Sequence, residues 1–486
     1  MKILLASSEV HPYSKTGGLA DMVGALAKSL AESGQQVGLV TPLYKGILES
    51  FPDINRSDWL IDVSLGTSRM QAEVWKRDWQ PGLTVYFIHQ REFFFRDGLY
   101  QEKGADYPDN AERFIFFSKC VAHLARHLAW QPDIVHVHDW QVGLVPLLIL
   151  DAKSRDGWGT APRTCLTIHN LAYQGVFPRQ AYDFTRLPPD YFHPDGVEFY
   201  GRLNCLKAAI IYADAITTVS SRYAREILTE AFGCGLDGIL RRRQGALTGI
   251  LNGVDYSEWR TDENPFLKHP FTVRNLQGKE AEKEELQKEL GLPQRPAVPL
   301  FGNISRLVDQ KGSDILLGAM EEMLASDLQY VQLGSGDPRL ERAFQNLARR
   351  HPGKVATRIG YDHALSHRIE AGCDFYVMPS RFEPCGLNQM YGLRYGAVPI
   401  VRATGGLDDS VIDPTEDLTE DLERANGIKF YDYSSRALAK AIRKALVLYE
   451  NPGLLRTFRK NAMSADFSWE RTSAEYLKVY RGLLDT

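Results

Sequence analysis

The chain has 486 residues, 44% of them hydrophobic and 24% charged, with 57 lysines and arginines against 61 aspartates and glutamates. That length exceeds what a single core usually serves, so two domains or more are expected. A net charge of −4, a sequence pI near 6.3 and a mean hydropathy of −0.29 describe a globular chain and argue against a general nucleic-acid binder. The six cysteines (Cys120, Cys165, Cys205, Cys234, Cys373, Cys385) are scattered and form no C-x-x-C, which suits a reducing compartment with most of them acting as small buried hydrophobes. The opening MKILLASSEV is too short for a signal sequence, and runs such as GLVPLLIL fall short of a membrane span. A cytoplasmic protein is expected, without membrane or nucleic-acid partners.

ILLAS (3–7) reads as a strand, and residues 19–31 place Leu19, Val23, Leu26, Ala27 and Leu30 on one helical stripe. Between them lies SKTGGLAD (14–21). Its glycines let an anion approach the backbone, the helix start offers unpaired N–H groups, and Lys15 adds a mobile charge. It matches neither the Walker loop nor G-x-G-x-x-G, so a plain tight turn competes with a phosphate site. QVGLVTP (36–42) gives the next strand. DIVHVHD (133–139), TCLTIHN (164–170) and AITTVS (215–220) are further β-rich runs, each ending in polar residues. In parallel α/β sheets ligands gather at such strand ends.

The rhythm breaks at GILNGVDYSEW (249–259). The charged stretch that follows, residues 278–290, reads as a helix whose charges form a solvated face. Strands then resume in VPLFGNISRL (298–307), YVQLGSGD, KVATRIGYD, DFYVMPSRFEP and AVPIVRATGG, which points to a second doubly wound domain after a hinge near 250.

The chemistry concentrates in the second half. ISRLVDQKG sets Arg306 and Lys311 five residues apart after a strand. PSRFEPCGLNQMYGLRYG puts Glu383 before Cys385, Gly386 and a helix starting near Leu387, and Gly405–Gly406 opens another helix. Helix starts beside cations suit a phosphate, and a carboxylate there suits sugar hydroxyls. Surface charge and helix-end charge are the plain alternatives. In HVHD, His136 and His138 share one strand face as a metal pair would. No third ligand follows at metal spacing, and Asp139 at the strand end is better placed to face a ligand. His169 ends the next such strand.

KTGGLAD, HDW, TIHNLAYQG, LNGVD, SRLVDQKG, PSRFEPCGL and TGGL occur in the order found in bacterial glycogen synthases and plant starch synthases, and the chain resembles that family over essentially its whole length. The resemblance implies α/β GT-B architecture: two Rossmann-like doubly wound domains, 1–250 on the glucan side and 251–463 on the nucleotide-sugar side, facing each other across a deep cleft. Residues 464–486 would form a last helix packing back on the first domain. It implies retaining transfer of glucose from ADP-glucose to the nonreducing end of an α-1,4-glucan, glycogen or a maltooligosaccharide, without cofactor or metal.

By the same resemblance Arg306 and Lys311 neutralise the diphosphate, and Gly18 with the amides of Gly386, Leu387 and Asn388 hydrogen-bonds it. Lys15 approaches in a closed state, Tyr361 stacks on the base, and Asp139, His169 and Glu383 surround the glucose. Asp21, Asn170, Cys385, Gly405 and Gly406 complete the binding set. Two positions depart from pattern: Asn388 stands where some relatives have threonine, and Tyr391 where the wider group often has a second glutamate. A UDP-glucose-dependent synthase, an epimerase, a phosphorylase and a non-catalytic glucan-binding protein remain alternatives.

Overall fold

A computed structural model describes residues 1–414 and 422–485. The backbone divides into two units, residues 1–219, 224–253 and 469–486 in the first, and 220–223 and 254–468 in the second.

The first unit is built on a nine-stranded sheet: β1 (Lys2–Ala6), β2 (Gln36–Pro42), β3 (Asn55–Leu65), β4 (Ser68–Gln80), β5 (Leu83–His89), β6 (Ile134–His138), β7 (Arg163–Ile168), β8 (Ala215–Thr218) and β9 (Leu247–Gly249). Their order is β9-β8-β7-β6-β1-β2-β5-β4-β3. From β9 to β5 the strands run parallel, and Ile3, Leu4, Leu5, Ile134, Val135, Leu166 and Ile168 are fully buried, as continuous apolar strands covered on both faces must be. The antiparallel β3–β4 hairpin added beyond β5 is not among the strands read from the sequence, although its half-exposed strands partly alternate polar with apolar residues as such strands do. Register sets the site: Ala6 lies beside Val137, and His138 beside Thr167, so β1, β6 and β7 end along one edge.

The last helix, Trp469–Leu484, belongs to this unit and packs on helix Gly18–Glu32. Ser29 donates to the Ser473 hydroxyl at 2.9 Å, Thr472 donates to the Leu251 carbonyl at 3.0 Å, and the Tyr480 hydroxyl meets Nδ1 of His136 at 2.7 Å.

Among the described residues the second unit has one six-stranded, wholly parallel sheet: β10 (Leu300–Ile304), β11 (Gln329–Gly334), β12 (Val355–Ile359), β13 (Phe375–Met378), β14 (Val398–Arg402) and β15 (Ile428–Phe430), in the order β12-β11-β10-β13-β14-β15. β10 and β13 are neighbours, so the loops carrying SRLVDQKG and PSRFEPCGL leave the sheet side by side.

The charged helix, Gln277–Glu289, is not the solvated face its composition suggests: Lys279, Glu282, Lys283 and Gln287 are buried. Nζ of Lys283 donates to Asp374 at 2.7 Å, to the Val298 carbonyl at 2.6 Å and to the Tyr449 hydroxyl at 2.9 Å, and Asp374 also pairs with Arg459 at 2.5 Å. Those partners lie up to 176 positions away, beyond the reach of local charge counting. Enclosed charges survive only when paired and hydrogen-bonded, and here they bind helix, sheet and the later helix Pro452–Ser464. Among the described residues no helix is long and apolar enough to cross a membrane.

Candidate active site

Helix Gly18–Glu32 begins without a side-chain cap, since Gly17 before it is extended and offers none. Its first N–H groups stay open, and Lys15, Thr16, Gly17 and Gly18 are all exposed. A Cβ on Gly17 would meet nothing within 4 Å, so internal packing does not require glycine there. Nζ of Lys15 sits 2.8 Å from Oδ1 of Asp21, beside the same turn. Glu9, itself buried, ties the loop down. Its Oε1 accepts from the Thr16 hydroxyl at 2.7 Å and the Tyr100 hydroxyl at 2.6 Å, and Oε2 accepts the Thr16 N–H. Sequence reading missed Glu9 and Tyr100; an acidic residue directly after an apolar strand was the only signal.

Asp139 follows β6 with φ 61° and ψ −171°, backbone that a residue bearing a side chain holds at a cost of about 1–3 kcal/mol. The conformation turns Oδ1 to accept the His169 N–H at 2.7 Å, while the Asp139 N–H donates to the Thr167 carbonyl at 3.0 Å. Burial pushes this carboxyl up to about 7, against the pull of the His169 and Asn170 N–H groups. Asn170 turns its Oδ1 back to the Ala172 N–H at 3.1 Å, closing its own loop. His169, held neutral by burial that lowers it to about 3, places Nε2 3.0 Å from Nδ1 of His138. His136 cannot join a metal pair as it stands. Its Nδ1 meets the Tyr480 hydroxyl and its Nε2 the Thr167 hydroxyl at 2.6 Å, leaving no free nitrogen.

In the second unit Nζ of Lys311 lies 2.5 Å from Oε2 of Glu383, which also accepts from the Ser380 hydroxyl at 3.0 Å. Two residues singled out separately thus form one charge pair, across the β10 and β13 loops. Arg306 is exposed, and its guanidinium has no ion-pair or hydrogen-bond partner among the described residues. The Glu383 loop is clamped by the glycine pair. The Gly406 N–H donates to the Glu383 carbonyl at 3.2 Å, and a Cβ at Gly405 (φ 46°) would fall 1.9 Å from that same oxygen. Only glycine fits this approach. Gly386, at φ 71°, makes the turn between the buried Cys385 and Leu387, the residue before the short helix Asn388–Arg394.

Asn388 turns its amide inward, donating to the Ile304 carbonyl at 2.9 Å and the Tyr376 hydroxyl at 3.0 Å, so what it offers a ligand is its backbone. Tyr391, where a second carboxylate was absent, lies face to face with Trp259 at 3.6 Å. Tyr361, after β12, is 80% exposed, with its hydroxyl 3.3 Å from Nδ1 of His363. Glu258, His363 and His367 form the one cluster with metal-like spacing among the described residues. The His367 ring lies on Trp259 at 4.1 Å, and its Nδ1 meets the Tyr395 hydroxyl at 2.8 Å. None of the three belongs to the motifs above.

Each unit therefore joins cations and open backbone N–H groups to a carboxyl group, the donor set for a phosphorylated sugar. Residues 2–242 match the family described as starch synthase catalytic domain, and residues 282–464 match glycosyl transferases group 1. A glycogen synthase of Anaeromyxobacter sp. (strain Fw109-5) is 47% identical, covering 99% of both chains, and one of Thioalkalivibrio sulfidiphilus is 44% identical, covering 100% of both. Among solved structures, the catalytic domain of starch synthase IV from Arabidopsis thaliana, bound to ADP and acarbose, superposes with a TM-score of 0.90 at 34% identity, covering 100% of this chain and 99% of that one. Sucrose-phosphate synthase from Thermosynechococcus elongatus, at 19% identity and a TM-score of 0.60 over 99% of each chain, shares the GT-B fold. The chain belongs to the glycogen synthase and starch synthase family of glycosyltransferases.

Proposed function

We propose that the protein transfers glucose, with retention, from ADP-glucose to the nonreducing end of an α-1,4-glucan. The observation that carries this reading is the Lys311–Glu383 pair beside the unpartnered Arg306. It joins a cation pair suited to a departing diphosphate with a carboxylate suited to sugar hydroxyls. The starch synthase structure with ADP and acarbose supports the same ligand classes, a nucleoside diphosphate and an oligosaccharide.

In this mechanism Arg306, Lys311 and the backbone N–H groups at Leu387–Asn388 and Gly18 take up charge on the leaving diphosphate. The acceptor hydroxyl attacks the anomeric carbon from the same face, and its proton passes to the departing phosphate oxygen. Glu383 offsets positive charge developing on the sugar, Asp139 and His169 hold its hydroxyls, and Tyr361 stacks on the base. Stacking accepts either nucleobase, so the ADP preference rests on the family. No cofactor enters the scheme, because the cationic side chains do the work of a Lewis acid.

The test is incorporation of labelled glucose into glycogen from ADP-glucose and from UDP-glucose, followed by digestion of the product with an α-1,4-specific glucanase. A kcat/KM for UDP-glucose equal to or above that for ADP-glucose overturns the donor assignment. Absence of incorporation from either would leave a glucan-binding protein.

A further inference from the structure

We infer that His138 is a positioning residue for His169: it donates its Nδ1 proton to Nε2 of His169, which obliges His169 to carry its own proton on Nδ1 and to act toward the substrate as a donor. The inference rests on the reading above that His169 meets the sugar.

The two rings are brought together by register. His138 pairs with Thr167 across β6 and β7, and His169 lies two residues further on. Nδ1 of His138 and Nε2 of His169 are 3.0 Å apart, so one proton lies between them and the question is which nitrogen owns it. The far side of His138 answers. Its Nε2 is buried and has no hydrogen-bond partner among the described residues. If His169 owned the shared proton, His138 would carry its hydrogen on Nε2 and enclose an unpaired N–H, which folded proteins rarely tolerate. If His138 owns it, Nε2 is a bare lone pair, the cheaper of the two to leave unmade. His138 is therefore the Nδ1–H tautomer and His169 the acceptor at Nε2.

Both rings are neutral, because burial drives His138 well below the usual histidine range and His169 down to about 3. The facing groups leave this arrangement undisturbed. His136, whose ring centroid lies 4.2 Å from that of His138, is likewise neutral, with both nitrogens bonded to Tyr480 and Thr167. Asp139 engages the His169 backbone N–H rather than its ring. A histidine donating through Nδ1 complements an oxygen lone pair on a sugar hydroxyl or phosphate. In the opposite tautomer the same ring would present a lone pair, which repels a phosphate oxygen and can only accept from a sugar hydroxyl.

The experiment uses the full chain, labelled with ¹⁵N at histidine, with the His169 signals identified by their loss in His169→Gln. Two-bond nitrogen–proton correlations report which nitrogen is protonated. Wild type is expected to show His169 protonated at Nδ1. His138→Asn, whose amide nitrogen falls where Nδ1 was, should keep that pattern, and His138→Leu should shift it toward Nε2–H, the form free histidine favours. Turnover should follow: kcat down about 10- to 100-fold in His138→Leu with little change in donor KM, and mostly recovered in His138→Asn. Protonation of wild-type His169 at Nε2 overturns the inference, and so does a wild-type pattern in folded His138→Leu. If His138→Leu does not fold, the wild-type spectrum and His138→Asn decide. Near wild-type turnover in His169→Gln, with the tautomer as stated, would instead overturn the reading that His169 meets the sugar, and the positioning role with it.

Discussion

Glu383→Ala separates a catalytic carboxylate from a charge that merely steadies a loop. Glu383 is 8% exposed at its side chain and Lys311 20%, and the pair is 2.5 Å long. Removing one partner of a fully enclosed pair costs about 3–5 kcal/mol. Lys311 retains a path to water, so the expected loss here is about 1–3 kcal/mol, a fall of several degrees in Tm at most. If Glu383 also faces the developing positive charge, kcat falls by about 10²-fold or more, equivalent to roughly 2.7 kcal/mol in the barrier. Stability and rate come apart in a double-mutant cycle with Lys311→Met. The double variant no longer strands an unpaired charge, so its Tm should recover relative to Glu383→Ala. Its turnover, followed as glucose incorporation into glycogen, should stay as low as that of the poorer single variant. A folded Glu383→Ala protein elongating glycogen near the wild-type rate refutes the reasoning, as does a double variant that regains activity together with stability.

Asp139 has a folded-state pKa raised to about 7 by burial, so its contribution to stability is complete below the unfolded value near 4 and is lost as pH rises through 7. Wild type should lose Tm between pH 4 and 7 relative to Asp139→Asn, by at most about 4 kcal/mol in stability; parallel melting curves across that window would contradict the burial argument. Gly405→Ala should destabilise the second unit and abolish turnover, since its Cβ would meet the Glu383 carbonyl at 1.9 Å, whereas Gly17→Ala should leave Tm within about a degree and weaken donor binding. Equal Tm losses in the two would defeat that contrast. Lys15→Gln should lower kcat far more than it weakens ADP-glucose binding, because an exposed ammonium held by Asp21 is worth little in the ground state; a raised KM with normal kcat would make it a docking charge.

The motif residues were legible because each lies in the loop that follows a parallel strand, where sequence pattern and ligand chemistry coincide. Lys15, Asp139, His169, Arg306, Lys311 and Glu383 all follow a run of β-branched or apolar residues closely. What the sequence hid was pairing. Lys311 and Glu383 are 72 positions apart, Glu9 is tied to Tyr100, and nothing near Lys283 foretells Asp374 or Arg459. Tertiary partners of charged groups leave no periodic trace, so buried Lys279 and Lys283 read as solvated. Asn388 shows the same limit at smaller scale, since its position was readable but not the inward turn of its amide.

The last helix has a consequence for how the protein is made. The first unit draws its strands from residues before 253 but its closing helix from 469 onward, with the whole of β10–β15 synthesised between. At about 5–20 residues per second, a ribosome needs roughly 10–50 s to supply that helix after the rest of the sheet has emerged. During that interval the face of helix Gly18–Glu32 that receives Ser473 is uncovered, and His136 lacks the Tyr480 hydroxyl. The second unit is complete before the first, although its strands are made later. Nascent chains halted short of residue 469 should therefore expose the first unit, and not the second, to proteases and chaperones.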